Sequence, residues 1–236
     1  GRLLARYREG EAKFPGYLDD YAFFIYGLIE LYEATFEQAY MQEAEKWCDQ
    51  MLELFWDTER GGFYFYGHDS EELFSRPKEI YDGAMPSGNS VALMCLLKLS
   101  KYSYRADLSQ KAEEMMQTFA GTVSSHPSGY AFFLLGTDFH WTQGHEIVIA
   151  GNPQQPDAQE MIRIVQQAFT PHAVIVLAAS GKETEGAAEQ VLPLAQDKVA
   201  IGGKATVYIC ENFACQQPEQ DPQEVLRALS LHQDSL

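Results

Sequence analysis

The feature that most constrains this chain is a pair of unlike helices that occurs twice. From Tyr21 to Tyr32 the sequence reads YAFFIYGLIELY, apolar nearly all round, as expected of a helix surrounded by protein. Ala44, Trp47, Cys48, Met51, Leu52 and Phe55 then form one apolar stripe at helical spacing, with Glu43, Glu45, Lys46 and Asp49 outside it. The same pair returns as SVALMCLLKL followed by Ala112, Met115, Met116 and Phe119. The offset is about 70 residues for both members, from Tyr21 to Val91 and from Ala44 to Ala112, which is the scale of whole helical hairpins. An inner helix buried on all sides, followed by an outer helix buried on one, predicts concentric helical layers: a partial (α/α) toroid. SGYAFFLLGTDFHW supplies a third inner helix. A closed toroid needs roughly twice as many hairpins. The arc is therefore expected to be open, or to be completed by hairpins preceding Gly1 in the natural protein.

Past the toroid the pattern changes. HEIVIAG, a Gln-rich helix from about Asp157 to Phe169, and HAVIVLAA read as strand, helix, strand, hence a right-handed βαβ unit. ATVYIC supplies a third strand, Ser180 to Lys204 a loop with one helical turn, and residues 217–236 a terminal helix starting near Pro222. The expected fold class is mainly α with a C-terminal α/β unit, and the expected domains are 1–143 and 144–236. Between the hairpins, DTERGGFYFYGHDSEELFSRP reads as a short β-hairpin or extended excursion, because of Gly61-Gly62 and its alternating aromatics.

The chain's 236 residues, 46% of them hydrophobic, suffice for a proper core. Lys and Arg number 17 against 34 Asp and Glu, a net charge of -17 that repels phosphate backbones and anionic lipid. Nucleic acid and membrane are therefore not expected partners. No apolar run approaches the ~20 residues of a membrane helix, and no signal-type core follows the N-terminus, so a cytoplasmic location is expected. Four cysteines are too few for a secreted disulfide scaffold. Cys48 and Cys95 lie within apolar helical patterns and are expected to be buried and inert.

GYLDDYAFFIYGLIELYEAT, LFWDTERGGFYF, RPKEIYDGAMPSGNSVAL and YICENFACQQP together resemble the C-terminal part of the YyaL family, to which spermatogenesis-associated protein 20 also belongs. The resemblance covers almost the whole chain. It implies a longer protein with an N-terminal thioredoxin-like domain and a six-hairpin (α/α) toroid similar to N-acylglucosamine 2-epimerases and several glycoside hydrolases.

The polar residues at the starts of the inner helices are the candidate site. Asp19 and Asp20 precede Tyr21, and Glu79, Tyr81 and Asp82 stand in the equivalent place one repeat later. Acids at a helix start are favoured by capping and by the helix dipole. Pro86, Ser87 and Gly88 are accounted for by the entry to the second inner helix, with Ser87 or Asn89 as its cap. Glu79, Tyr81 and Asp82 lie too far upstream for that. Two rim segments bearing acid and tyrosine fit a pair of carboxylates flanking a glycosidic or hemiacetal centre. Asp20, Glu79 and Asp82 are therefore the expected acid–base groups, and Asp19, Tyr21, Tyr81, Asn89 and His68 the expected contacts to a small polar, sugar-like metabolite. On this reading, Ala at Asp82 or Glu79 abolishes ligand binding and leaves the melting temperature nearly unchanged. Arg76 and Lys78 would add cationic groups. The epimerase-like fold adds His126, His140 and His145 as acid–base candidates. Trp56 and Phe63 to Tyr66 either stack on sugar rings or simply pack. No cofactor and no metal site are expected.

Cys210 and Cys215 enclose ENFA; the spacing is not that of a thioredoxin motif, and no His stands at zinc-ligand spacing. A disulfide or a dithiol is geometrically possible, with Glu211 and Asn212 turning the chain. The alternative functions are thus a thiol redox module in which Cys210 and Cys215 work with the thioredoxin-like domain, and an interaction scaffold without chemistry. Whether the protein is an enzyme stays open between them; if it is one, epimerase-like or hydrolase-like action on carbohydrate is expected.

Overall fold

The computed structural model of the chain describes residues 1–70, 75–142, 144–180, 192–211 and 214–231. Residues 71–74 of the expected excursion, 181–191 of the expected loop, Asn212 and the tail from 232 lie outside them. The described residues form seven α-helices and six strands in two compact units, one of Gly1–Ser100 with Arg105–Trp141, the other of Lys101–Tyr104 with Thr142–Leu236.

The first unit opens with a hairpin that the sequence did not announce, β1 (Leu4–Arg8) against β2 (Glu11–Pro15). Glu9 and Gly10 turn it with φ of 54° and 83°, the left-handed geometry that suits a two-residue hairpin loop. Every residue of both strands is exposed, so no alternation of apolar and polar residues marks it. Helices α1 (Leu18–Thr35) and α2 (Gln38–Phe55) follow. The buried stripe of α2 is Met41, Ala44, Cys48, Met51, Leu54 and Phe55, with Trp47 and Leu52 at its margins.

Helix α3 (Gly88–Ser103) is the helix closest to being buried on all sides: Val91, Ala92, Leu93, Cys95, Leu96 and Leu99 have no exposed surface. Its neighbours depart from that expectation. Phe24 and Leu31 of α1 are exposed, as are Leu134, Leu135 and Trp141 of α5 (Ala131–Trp141). Helix α4 (Ala106–Ser125) buries Leu108, Ala112, Met115, Phe119 and Val123 along one side. Cys48 and Cys95 are free and buried, and burial pushes the Cys48 thiol up to about 12.

The second unit contains β3 (Glu146–Gly151), α6 (Pro156–Gln167), β4 (Val174–Ala179), β5 (Thr206–Glu211), β6 (Ala214–Cys215) and α7 (Pro222–Leu231). The sheet order is β4-β3-β5-β6. β3 and β4 are parallel across the α6 connection, whereas β5 runs antiparallel to β3 and β6 to β5. The chain is therefore mainly α with a C-terminal α/β unit. No helix among the described residues is long and apolar enough to cross a membrane.

Candidate functional site

Residues from the two rim segments converge at the start of α3, and they divide by what their polar atoms already hold. Ser87 caps this helix, its Oγ accepting from the Ser90 N–H at 3.2 Å. Asp82 adds a second layer. Its Oδ1 accepts from the Ser87 N–H at 2.9 Å, and its Oδ2 from the N–H groups of Phe132 and Phe133 at 2.8 and 3.1 Å. One carboxylate thus closes the N-termini of α3 and α5 together, where the helix dipoles favour negative charge.

Asn89 is fully buried and serves as a clip. Its Oδ1 accepts from the Phe63 N–H, and its Nδ2 donates to the carbonyls of Phe63 and Glu79 at 2.9 and 2.8 Å. Both amide hydrogens are spent on backbone, so the expected ligand contact at Asn89 is replaced by tethering of Phe63, in the excursion, and of Glu79 to α3. Tyr21 is likewise buried; its hydroxyl donates to Gln50 Oε1 and accepts from the Leu3 N–H. Asp20 accepts from the Tyr17 N–H at 2.8 Å and so serves the start of its own helix.

Asp19 behaves differently. It crosses to the other segment, accepting from the Gly88 N–H. The approach is so close that a Cβ on Gly88 would overlap Asp19 Oδ1 and lie 2.9 Å from Leu18 Cγ. Burial raises the carboxyl's proton affinity, the Gly88 N–H opposes this, and the charges of Glu79 and Asp20 raise it further. Glu79 itself is exposed. Asp19 is therefore the acid of this neighbourhood that feels the charge of a second, exposed acid, Glu79. Tyr81 is 64% exposed and meets Tyr130 edge to face, with 6.2 Å between ring centroids. Tyr17 stacks on Phe65 at 5.1 Å.

The chain is similar in sequence to known proteins. Over 216 residues the chain is 35% identical to mouse spermatogenesis-associated protein 20, covering 91% of the chain and 27% of the relative. The human protein of the same name is 32% identical over 215 residues. Over nine-tenths of its length the chain is similar to proteins named spermatogenesis-associated protein 20. It spans about a quarter of the length of the curated relatives it matches. An uncharacterised protein of Caenorhabditis elegans is 26% identical over 222 residues, 92% of the chain and 29% of that protein. No protein-family model matches the chain.

Other candidates from the sequence have structural partners. Lys78 does not join the acids of the α3 start; it pairs with Asp57 at 2.6 Å and donates to the Gly61 carbonyl. Asp57 also accepts from the Tyr64 hydroxyl at 2.7 Å and from the N–H groups of Glu59 and Arg60. Burial opposes ionisation of Asp57, but Lys78, Tyr64 and the two N–H groups outweigh it and hold the carboxyl far below the usual carboxylate range. Arg76 lies over the Tyr64 ring at 4.0 Å and donates to the Tyr66 carbonyl. The aromatics of the excursion are packing residues: Phe63 is buried, and Trp56 meets it edge to face at 5.0 Å. Gly62, at φ 77°, leaves room for the Phe119 ring, which a Cβ would strike at 2.8 Å.

His68 is exposed, and its backbone N–H donates to the Leu54 carbonyl. His126 sits 3.4 Å from the Ser128 hydroxyl, His140 3.9 Å from Glu113, and His145 3.3 Å from Glu211. None of these contacts involves Asp19 or Glu79. Among the described residues no group of three His, Cys, Asp or Glu is placed to hold a metal.

In the second unit, Cys210 and Cys215 form a disulfide across directly opposed positions of β5 and β6. Two neighbours were not foreseen. Lys198 Nζ lies 3.3 Å from Cys215 Sγ, and Glu146 stands opposite Cys210 in the β3–β5 register. Glu146 had a signal in the sequence, a carboxylate inside the apolar run HEIVIAG, since such residues are rarely buried without a reason. Lys198 had none.

Proposed function

We propose that the first unit binds a small polyhydroxylated metabolite where Asp19 and Glu79 meet beside the exposed Tyr81 ring, and acts on it by acid–base chemistry. The observation that carries this reading is the contrast in carboxyl saturation: Asp82 is engaged by three N–H donors, whereas Asp19 holds a raised proton affinity next to a second, exposed acid. A carboxyl that keeps its proton longer serves as the acid, and its exposed partner as the acceptor for a substrate hydroxyl. Tyr81 offers a ring face for the apolar side of a sugar. Asp82 and Asn89 enter as positioning residues that hold the α3 start, with Ser87 as its cap. The carbohydrate class also accords with the epimerase-like toroid that the YyaL resemblance implies. The activity of the longer family proteins, and any role in it of a thioredoxin-like domain, belong to this proposal as well.

The decisive experiment is a panel of monosaccharides and polyols screened by ligand-detected NMR against the chain and its Asp19→Asn variant. Asn at 19 retains an acceptor for the Gly88 N–H but carries no proton to donate. Binding to the parent that is lost in Asp19→Asn, with unchanged melting, supports the site. Equal binding by both, or none by either, removes it.

A further inference from the structure

The Cys210–Cys215 disulfide sits in a chemical setting of its own. Val174, Glu146, Cys210 and Cys215 are successive partners across β4, β3, β5 and β6, and directly opposed residues of neighbouring strands share a sheet face. The two sulfurs differ in access. Cys210 is 2% exposed, whereas Cys215 lies on the edge strand and is exposed. Lys198 Nζ is 3.3 Å from Cys215 Sγ and lies over the Tyr208 ring, whose hydroxyl donates to the Val199 carbonyl and so fastens the segment that carries the lysine. Glu146 is buried, facing Lys101, Lys198 and Tyr104.

We propose that Cys210 and Cys215 form a reversible thiol–disulfide exchange site, in which Cys215 is the sulfur attacked by an external thiol and Lys198 stabilises its thiolate. The asymmetry dictates the order of events. A thiolate from solvent reaches Cys215 Sγ and forms a mixed disulfide; the internal S–S bond breaks and its electron pair goes to Cys210 Sγ. The proton released when the thiol ionised ends on Cys210. A second thiolate attacks the thiol-derived sulfur of the mixed disulfide and releases Cys215 as a thiolate beside Lys198. Two thiols are oxidised to one disulfide, and the protein disulfide is reduced to two thiols. In the reverse direction the Cys215 thiolate attacks a disulfide and Cys210 resolves the product. An ammonium in contact with the sulfur favours the thiolate over the thiol, the form that reacts.

The test uses the unaltered chain first, incubated under native conditions with graded ratios of reduced to oxidised glutathione, quenched with a thiol-alkylating reagent and mapped by mass spectrometry. The expected result is reversible two-electron reduction of this pair while the circular dichroism stays native. In Cys210→Ser, oxidised glutathione is expected to cap Cys215. Lys198→Met is expected to slow alkylation of reduced Cys215 by roughly three- to tenfold near neutral pH, and Lys198→Arg to restore it. A pair that stays oxidised until the protein unfolds is a structural staple, and that result overturns the proposal even if the variants do not fold. Capping at Cys210 in the reduced parent, or an alkylation rate indifferent to Lys198→Met, overturns the assigned roles.

Discussion

Asp82 and Asp19 are the same residue type at the same rim, yet one is enclosed by the fold and the other is left chemically available. Asp82 sits where two helices begin and collects three N–H groups from them, which leaves its oxygens engaged by backbone. Asp19 receives one from Gly88, loses solvent, and faces a second acid. The difference teaches that the number of donors converging on a carboxylate, rather than its place in a repeat, decides whether it is structural or reactive.

Breaking the first side of this comparison should cost most. Asp82→Ala uncaps α3 and α5 together and is expected to destabilise by about 3 kcal/mol, at roughly 1 to 2 kcal/mol per lost cap, read as a lower urea midpoint. The sequence alone led to the opposite expectation for this variant, an unchanged melting temperature. Asp57→Asn, which keeps one acceptor oxygen, puts an amide NH2 donor in place of the other and discharges the partner of Lys78, is expected to cost about 2 kcal/mol. Its pH dependence follows from a folded-state pKa below the unfolded one. The stabilisation by Asp57 is full above the unfolded carboxylate range of about 4 and is lost as pH falls toward the folded value, so the difference between parent and variant should shrink in acid.

Gly88→Ala sharpens the other side, because the new methyl group must displace Asp19 Oδ1 from its N–H donor; about 1 to 2 kcal/mol is expected from denaturant titration. The smallest effects belong to the acid pair. Asp19→Asn should change stability by no more than about 0.5 kcal/mol at neutral pH, since it removes the cost of a buried charge while keeping an acceptor. Glu79→Gln should leave stability alone and lower the Asp19 pKa, as seen in a carboxyl-carbon NMR titration, because the Glu79 charge raises it. A Asp19 titration insensitive to Glu79→Gln would separate the two acids and remove the basis for pairing them.

Much of the fold was legible because it rests on periodicity. The stripe of α2, the apolar run of α3, the strands β3, β4 and β5 and the start of α7 at Pro222 all appear where the pattern of apolar residues and the breakers place them. The β1–β2 hairpin escaped because both its faces are exposed and carry no alternation. Helix α5 misled in the opposite sense: AFFLLGTDFHW reads as buried all round, yet only Phe133, Gly136 and Phe139 are buried, since burial depends on neighbours that a local pattern does not contain. At the site, the sequence grouped residues 19–21 with 79–89 and placed Asp20 ahead of Asp19, whereas in the structure Asp20 serves the start of its own helix and Asp19 lies against Gly88. The sequence ranked them by distance from a helix start along the chain, which missed that Asp82 reaches α5, 50 residues away.

The sequence by itself determined the helical periodicity of the first part of the chain and the change to strands in the last. Tertiary structure alone decided which polar groups have their hydrogen bonds satisfied. Apolar burial is repeated along the chain and averages over many residues, so it leaves a periodic trace. A carboxylate's chemistry depends on a few donors and charges, among them Gly88 for Asp19, Phe132 for Asp82 and Lys78 for Asp57, which come from distant segments and meet only after the chain has folded.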